Sequence, residues 1–412
     1  MRIILLTISF LFIILVVRFI FFFSNVKTYK TGEQVEFDYI LLDEPKMIFG
    51  KQFVWINNIS IFFASSEEFH YGDTVRIKGK ISERRVVSKK NNELIKEKII
   101  ENPLVLKQNK GVDILSVIAF VRQKISNTVA SYLNKNEAAL LIGIVFGIRK
   151  DFDKEFLQAF RDTGVLHVIA ASGTNVSMAG AFLLSMFSVL VKRRFAVIFT
   201  VLGILFYVVF SGMQPSIVRA GLMGIFAYGA LFFGRQNYSL LALSFALFIM
   251  LFFDPQVLFD VGFQLSFLST IGIILIKPVL DARLFFGKKF LGFEDLSTTF
   301  SAQLATIPIM LSAFSSYSFI SLPVNALVLW TVPIVMVLGG VGSLVGLIHP
   351  AISAPFLFLC YPLLLYFEKI TVFFAEISMP FTFETVPIFF VAGYYCLLLS
   401  MIMFLKKKER RA

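Results

Sequence analysis

Three short polar segments interrupt the apolar part of this 412-residue chain, and each carries side chains that can bind or pair with a charged group. The first, residues 167–180 (HVIAASGTNVSMAG), contains His167, Ser172, Gly173 and Asn175. Polar groups at the depth of a membrane must face protein or a water-filled cavity, because lipid offers them no hydrogen-bond partner. The segment therefore favours a broken helix that lines a polar path, with a helix-packing face of small residues as the alternative.

The second segment, residues 211–221 (SGMQPSIVRAG), carries Pro215, Ser216 and Arg219. Proline is typical of the first turn of a helix, which places Arg219 about one turn into the next span. An arginine at that depth must extend to the interface, pair with another group or face an aqueous path. Extension to the interface and the aqueous path both stay open at this point.

The third segment, residues 254–272 (DPQVLFDVGFQLSFLSTIG), contains two carboxylates and an amide. If this segment is an α-helix, the helical rise per residue places Gln264 near the middle of a span. An amide at that depth is expected to bond across helices. Gln303, in AQLATIPIM, and Asn325 are weaker polar positions of the same kind. The side chains of this segment that we assign to a polar path are Asp254, Asp260, Gln264 and Ser266.

The residues that enzymes and metal sites need are sparse. The three histidines, His70, His167 and His349, lie far apart in the sequence, and there is neither a Walker loop nor a dinucleotide-binding glycine signature. Ser172 follows His167 by five residues, about 140° around a helix, so a hydrolase pair would need an unwound turn. We therefore expect no enzymatic activity, no metal ion and no cofactor, with a membrane hydrolase as a minor alternative.

The composition assigns most of the chain to a membrane. Hydrophobic residues make up 57% and charged residues 16%, and a soluble protein of this length could not bury that much apolar surface. Residues 1–24 are predicted to be a retained transmembrane anchor, because their apolar run reaches the roughly 20 residues of a span and no cleavage site follows. Residues 137–405 predict about nine to eleven further spans, and residues 406–412 form a basic tail.

Residues 25–110 alternate polar and apolar residues in the manner of strands. About five strands are expected, and that number favours a small OB-like β-barrel, with another small β-sandwich as the alternative. The expected strands are residues 34–40, 53–56, 60–63, 71–81 and 99–106. Residues 111–136 are predicted to be an amphipathic connecting helix. Its apolar side is expected to carry Ile114, Val117, Ile118, Val121 and Ile125.

The net charge of +12 suits attraction to nucleic acid or anionic lipid, although the positive-inside rule explains much of it. Counting spans back from a cytoplasmic tail puts the Lys/Arg clusters at 192–194, 235, 277–289 and 406–411 inside. The same count puts residues 25–110 and the three polar segments at the outer side. Cys360 and Cys396 lie in apolar segments and imply no exposed disulfide.

In order and spacing, the segments TGVLHVIAASGTNVS, MQPSIVRAGLM and DPQVLFDVGFQLSFLSTIGI resemble the ComEC family of competence proteins. The segment YGDTVRIKGKI is similar to the end of that family's N-terminal OB-like domain. The resemblance covers most of the chain. It implies a multi-pass channel of the inner (cytoplasmic) membrane that takes up single-stranded DNA during natural transformation, with the OB-like domain outside and the C-terminus in the cytoplasm.

The family's motifs carry over residue by residue. His167, Ser172 and Gly173 match its His-x3-4-Ser-Gly core, and Pro215, Ser216 and Arg219 match its Pro-Ser-x-x-Arg stretch. Its Gly-Phe-Gln-Leu-Ser-Phe motif is matched by Gly262, Phe263, Gln264 and Ser266. Asn175 stands where many members carry a second histidine, which argues against a two-histidine metal or proton site.

Many members of the family also end in a metallo-β-lactamase-like domain that is proposed to degrade the other strand. This chain ends at Ala412 without a metal-ligand signature, so any nuclease is expected to be a separate protein. The other expected partners are single-stranded DNA, membrane lipid, a DNA receptor and a cytoplasmic helicase or translocase, and the oligomeric state stays open.

The resemblance turns the polar segments into candidates for the DNA path, with Arg219 offering a charge to phosphates. The complete set is His167, Ser172, Gly173, Asn175, Pro215, Ser216, Arg219, Asp254, Asp260, Gln264, Ser266 and Gln303. In the OB-like domain, aromatic and basic side chains would guide the strand. They are Phe53, Trp55, Tyr71, Arg76, Lys78, Arg84 and Arg85. The alternative is a secondary transporter of a small anion or lipid-linked substrate, which gives no role to an extracytoplasmic domain.

Overall fold

A computed structural model describes most of the chain, which divides into two compact units. The first unit is Phe22–Asn127, and the second unit is Met1–Phe21 together with Thr128–Ala412. The described residues are 2–25, 29–41, 46–48, 51–56, 59–63, 69, 71–87, 94–101, 103–109, 114–148, 152–169, 172–283, 293–314, 316–318, 320–378, 381–382 and 387–409.

The strands of the first unit form two open sheets. They are β1 (Gln34–Ile40), β2 (Lys46–Ile48), β3 (Lys51–Ile56), β4 (Ile59–Phe62), β5 (Thr74–Lys80), β6 (Ser82–Val87), β7 (Leu94–Glu101) and β8 (Leu104–Asn109). One sheet has the order β1-β5-β8 and the other β2-β3-β4-β7-β6. The β4–β7 pair is parallel. Because both sheets are open, the described strands do not show the predicted closed OB-like barrel.

One apolar core is shared by the two sheets. Val35 and Phe37 of β1 and Ile77 of β5 join Ile61 of β4 and Ile100 of β7 in a single buried cluster. The buried residues of β1 and β5 alternate with exposed ones along these two strands, which is why period-two patterning predicted them. Two open sheets that face one core agree with the β-sandwich alternative.

One sequence prediction for this unit needs correction. Residues 99–106 are not one strand, because β7 ends at Glu101 and β8 begins at Leu104, after Pro103, which has no N–H for a ladder bond. The helix α2 (Ile114–Ala130) lies within the predicted connecting helix. Of the residues on its predicted apolar side, Ile118 and Ile125 are buried while Ile114 and Val117 are exposed.

The second unit is helical. It contains α1 (Arg2–Ser24), which continues into the first unit, and then α3 (Lys135–Phe146), α4 (Lys154–Asp162), α5 (Leu166–Ile169), α6 (Gly173–Leu190), α7 (Arg193–Phe210), α8 (Pro215–Phe232), α9 (Ser239–Phe253), a 3₁₀-helix (Pro255–Phe259), α10 (Val261–Leu275), α11 (Lys277–Arg283), α12 (Phe293–Phe314), α13 (Ser321–Val328), α14 (Thr331–Gly346), α15 (Pro350–Ile377) and α16 (Ile388–Glu409). Two short strands, β9 (Ser316–Tyr317) and β10 (Phe381–Thr382), pair with each other.

Five helical segments among the described residues are long and apolar enough to cross a membrane, or six if α13 and α14, bent by 47° at their junction, count as one broken span. This supports a multi-pass membrane protein. The number is lower than the nine to eleven spans predicted from the sequence. Several apolar segments instead form helices shorter than a span, with 12 residues in α3, 15 in α9 and 8 in α13.

Candidate functional site

Arg219 is a buried cation in the helical unit. Gln214 is the N-cap of α8 and Pro215 its first residue, so Arg219 lies one turn into the helix. The residue is 7% exposed, and its Nη1 donates hydrogen bonds to the backbone oxygen of Ser266 and to Oγ1 of Thr270 on α10. The guanidinium of Arg219 therefore points toward α10.

The partners of Arg219 are neutral. Among the described residues it forms no ion pair, and its Nε has no hydrogen-bond partner. Asp260, a carboxylate of the third polar segment, accepts a hydrogen bond from the backbone N–H of Phe263 at 2.7 Å. That bond caps the N-terminus of α10. Arg219 is thus a charge with only neutral acceptors among the described residues.

Gly173 brings the first polar segment to the same place. A Cβ atom added to Gly173 would lie 2.5 Å from Nη2 of Arg219 and 3.4 Å from Cβ of Ala220. Ser172, the N-cap of α6, has extended backbone, so α6 begins anew at Gly173. The three polar segments therefore converge, with Gly173, Arg219 and Ser266 contributed by different helices. We call these residues and Thr270 the arginine cluster.

Asn175 and two residues of other elements hold the end of α3. The last carbonyls of a helix lack partners within the helix. Nδ2 of Asn175 donates to the oxygen of Ile144 at 2.7 Å, and Oδ1 of Asn175 accepts from Oγ of Ser172 at 3.0 Å. The hydroxyl of Tyr207 donates to Val145 at 2.9 Å, and Nε2 of Gln214 donates to Gly147 at 3.2 Å. Asn175 thus fixes the start of α6 beside the arginine cluster.

His167 lies in α5, directly after the turn that joins α4 to α5. Its Nδ1 is 3.2 Å from the oxygen of Gly164, a residue in the left-handed region with φ +70°. A Cβ at Gly164 would lie 2.8 Å from Cβ of Ser321 in α13. Oγ of Ser321 accepts a hydrogen bond from Nε2 of Gln303 at 2.9 Å. His167 and Gln303 therefore belong to a second polar group, around the Gly164 turn.

The acidic and amide residues of the third segment support helix ends. Oδ1 of Asp254 accepts from the N–H of Gln256 at 2.9 Å and caps the 3₁₀-helix. Nε2 of Gln264 donates to the backbone oxygen of Leu258 at 2.9 Å. The bond from Gln264 thus joins α10 to the 3₁₀-helix just before it, because the break between them leaves a local carbonyl to be satisfied. Pro215 and Ser216 form the first turn of α8.

In the β unit, two of the predicted DNA-guiding residues are already engaged. Arg76 donates to both carboxylate oxygens of Asp38, at 2.5 and 2.7 Å, and this contact raises the pKa of Arg76. Tyr71 is 1% exposed, and the guanidinium carbon of Arg122 lies 4.2 Å from its ring centre. Tyr71 therefore offers little surface to a strand, whereas the side chain of Arg76 is 47% exposed with its charge balanced by Asp38. Their role in guiding DNA stays a prediction.

The other predicted DNA-guiding residues differ in what they present. Lys78 stands opposite Glu36 in the β1–β5 register, so this face of the sheet is balanced in charge. Phe53 is half-buried against Phe62, and Arg84 is exposed. Trp55 and Arg85 lie in β3 and β6, but their side chains fall outside the described part, as does His70 altogether.

Sequence reasoning missed Thr270, Tyr207 and Gln214 as parts of the site. Thr270 follows Ser266 by four residues, which puts both on one face of α10 and was a usable signal. Tyr207 reaches a carbonyl 62 residues away in the chain, and no spacing rule predicts such a contact. His349 caps α15 through Nδ1, and no three metal-ligating side chains are grouped in the part of the chain that the structure describes.

Comparison with known proteins places all three polar segments within one family. The model of the competence protein family matches residues 144–408. ComE operon protein 3 of Bacillus subtilis (strain 168) is 31% identical over 239 residues, which cover 57% of this chain and 30% of the relative. An uncharacterized protein of Aquifex aeolicus (strain VF5) is 31% identical over 147 residues, 34% of this chain and 34% of the relative. The chain thus spans about a third of the curated relatives it matches, and no solved structure matches it.

Proposed function

This chain belongs to the competence protein (ComEC) family, and from that membership we propose that it conducts single-stranded DNA across the cell membrane during natural transformation. The proposed path passes the arginine cluster, where the three polar segments meet. Lipid excludes a chain of phosphates, so the path needs polar groups inside the helical unit.

The observation that carries this proposal is the state of Arg219. A charge that is removed from water is unfavourable unless it is paired. Arg219 is 7% exposed, bonds only to neutral oxygens, and keeps an Nε without a partner among the described residues. A phosphate group supplies the missing anion, and a planar guanidinium suits phosphate well. Each phosphate of the passing strand would take this place in turn.

The remaining parts of the proposal follow from charge and fold. The basic clusters would lie in the cytoplasm, so the β unit and the outer ends of the polar segments would face the other side of the inner membrane. Arg84 and Phe53 are the described side chains of the β unit best placed to meet a strand, as a weak guide. A DNA receptor outside, a helicase or translocase inside and a separate nuclease would complete uptake, and this chain would not cut DNA itself.

A clean deletion of the gene, assayed with donor DNA that carries a selectable marker, tests the proposal. We expect transformation to be lost in the deletion strain and restored by a plasmid copy of this chain. Normal transformation in the deletion strain would overturn the proposal. If the deletion strain instead failed to grow on one nutrient, the secondary transporter would be the better account.

A further inference from the structure

Asn325 is a buried amide that the helical unit leaves unsatisfied. It is 1% exposed, and neither its Nδ2 nor its Oδ1 has a hydrogen-bond partner among the described residues. Asn175 is also buried, at 2% exposed, but both of its polar atoms are bonded. Because buried amides are nearly always satisfied, an amide with two unused groups indicates a ligand that uses them.

The position of Asn325 connects it to the second polar group. Asn325 follows Ser321 by four residues on α13, so the two side chains share one face of that helix. Ser321 accepts a hydrogen bond from Gln303 and packs against the Gly164 turn, whose carbonyl lies beside His167. Asn325 therefore lies on the face of α13 that contacts the Gly164 turn.

The helix that carries Asn325 is half of a broken span. α13 ends at Val328, and the chain bends by 47° before α14 begins at Thr331. Broken helices at membrane depth are the usual positions of substrate contacts in transport proteins, since irregular backbone there must face protein or a water-filled cavity. The unsatisfied amide lies one turn before this break.

The chemistry of an amide selects the part of DNA that it can bind. Asparagine offers both a donor and an acceptor, and both are unused here. A phosphate group offers acceptors only, whereas the edge of a nucleobase offers donors and acceptors side by side. We propose that Asn325 hydrogen-bonds the edge of a nucleobase as the strand passes. This inference rests on the proposed function and adds base contact near α13 to phosphate contact at Arg219.

The first experiment compares Asn325→Leu with the matched control Asn175→Leu, each in the full-length chain. Leucine is close to asparagine in size and makes no hydrogen bond. Asn325→Leu should melt in detergent at the wild-type temperature or above it, because it removes an unsatisfied amide. Asn175→Leu should melt lower, because it leaves the carbonyl of Ile144 and the hydroxyl of Ser172 without their partner. A drop in melting temperature for both variants would show that Asn325 has a partner within the protein, and would overturn the inference.

The second experiment measures uptake of labelled DNA by the deletion strain carrying wild-type or Asn325→Leu protein at equal membrane abundance. Two donors are compared, one with normal bases and one with a central abasic tract. The variant should take up the normal donor about tenfold less than wild type, which corresponds to about 1.4 kcal/mol. With the abasic donor the two proteins should differ little.

Two results of this uptake assay would overturn the inference but leave the proposed function standing. The first is wild-type uptake by Asn325→Leu. The second is an equal loss of uptake for both donors, which would indicate a contact with the DNA backbone. If the wild-type chain failed to restore any uptake, the proposed function would fall as well. The assay thereby separates failure of the inference from failure of the proposal on which it rests.

Discussion

Replacing Arg219 by glutamine should abolish most DNA uptake while leaving the protein in the membrane. Arg219 donates to Ser266 and Thr270 and carries a charge without an anion among the described residues. The variant removes that charge from a phosphate path and keeps a polar side chain of shorter reach. Arg219→Lys should keep part of the uptake, because an ammonium is still a point charge for phosphate, although it cannot bind it as a fork.

The structure sets the expected effect on stability. Two hydrogen bonds from a charged donor contribute about 1.5–3 kcal/mol each, so their loss costs about 3–6 kcal/mol. Release of a guanidinium from a buried site returns several kcal/mol of desolvation. The backbone oxygen of Ser266 also keeps its bond from Oγ1 of Thr270, at 2.9 Å. The two effects nearly cancel, and membrane abundance should stay close to that of wild type.

The expected effect on uptake is much larger. One charge-assisted contact of about 1.5–3 kcal/mol corresponds to a loss of about 10- to 150-fold. Transformation frequency and membrane abundance should be measured together, with Arg235→Gln as the matched control. Arg235 is exposed just after α8, so its loss changes the same charge outside the arginine cluster.

Full transformation by Arg219→Gln at normal abundance would refute the phosphate role. If the protein disappeared from the membrane instead, Arg219 would be structural. The loss of its hydrogen bonds would then outweigh the recovered desolvation free energy. An added change at Asp260 should not restore abundance in that case, because Asp260 caps α10 rather than pairing with Arg219.

Three further predictions concern other contacts of the described residues. Gly173→Ala should lower uptake, because its Cβ would lie 2.5 Å from Nη2 of Arg219, whereas Gly229→Ala, with nothing within 4 Å, should have no effect in the same transformation assay. Asp153→Asn should lower the melting temperature at neutral pH. The Lys135 ammonium lowers the pKa of Asp153 from its ordinary value of 3.8, so the contact stabilises the folded protein at every pH where that carboxylate is ionised. This contribution is lost as pH falls through the folded-state pKa, so melting curves of variant and wild type should converge in acid, and a constant difference would contradict the ion pair. In the purified β unit, Arg84→Gln should weaken binding to single-stranded DNA at low salt more than Arg76→Gln, because Asp38 already neutralises Arg76; equal effects would exclude that distinction.

Local patterns in the sequence predicted the elements well. The alternation of residues 34–40 matches β1 from Gln34 to Ile40, since period-two burial is a property of the strand itself. The helix of the predicted anchor runs from Arg2 to Ser24. On the predicted apolar side of α2, Ile118 and Ile125 are buried whereas Ile114 and Val117 are exposed. Which face of a helix is buried depends on what packs against it, and periodicity alone does not contain that information.

Contacts between distant segments could not be predicted from the sequence. Arg219 meets Ser266 across 47 residues and Thr270 across 51, and the three motifs gave no indication of their order in space. Three residues selected from the sequence, Gly173, Arg219 and Ser266, do come together in the structure. It could not tell which polar residues serve helix ends. Asp254, Asp260 and Gln264 do so because the break between α9 and α10 leaves backbone groups without partners.

Hydrogen bonding distinguishes buried polar residues that support the structure from those proposed to contact the strand. A buried side chain whose polar atoms are bonded inside the protein has no capacity left for a strand, and Asn175 is of this kind. Arg219 and Asn325 are also buried but keep unused groups among the described residues. Leaving such groups unpaired is unfavourable in the resting protein, so a passing strand that pairs with them is bound more favourably by that amount. In the proposed path, one residue would offer charge to phosphate and the other an amide to bases, which would allow a strand of any sequence to be held at two chemically different points.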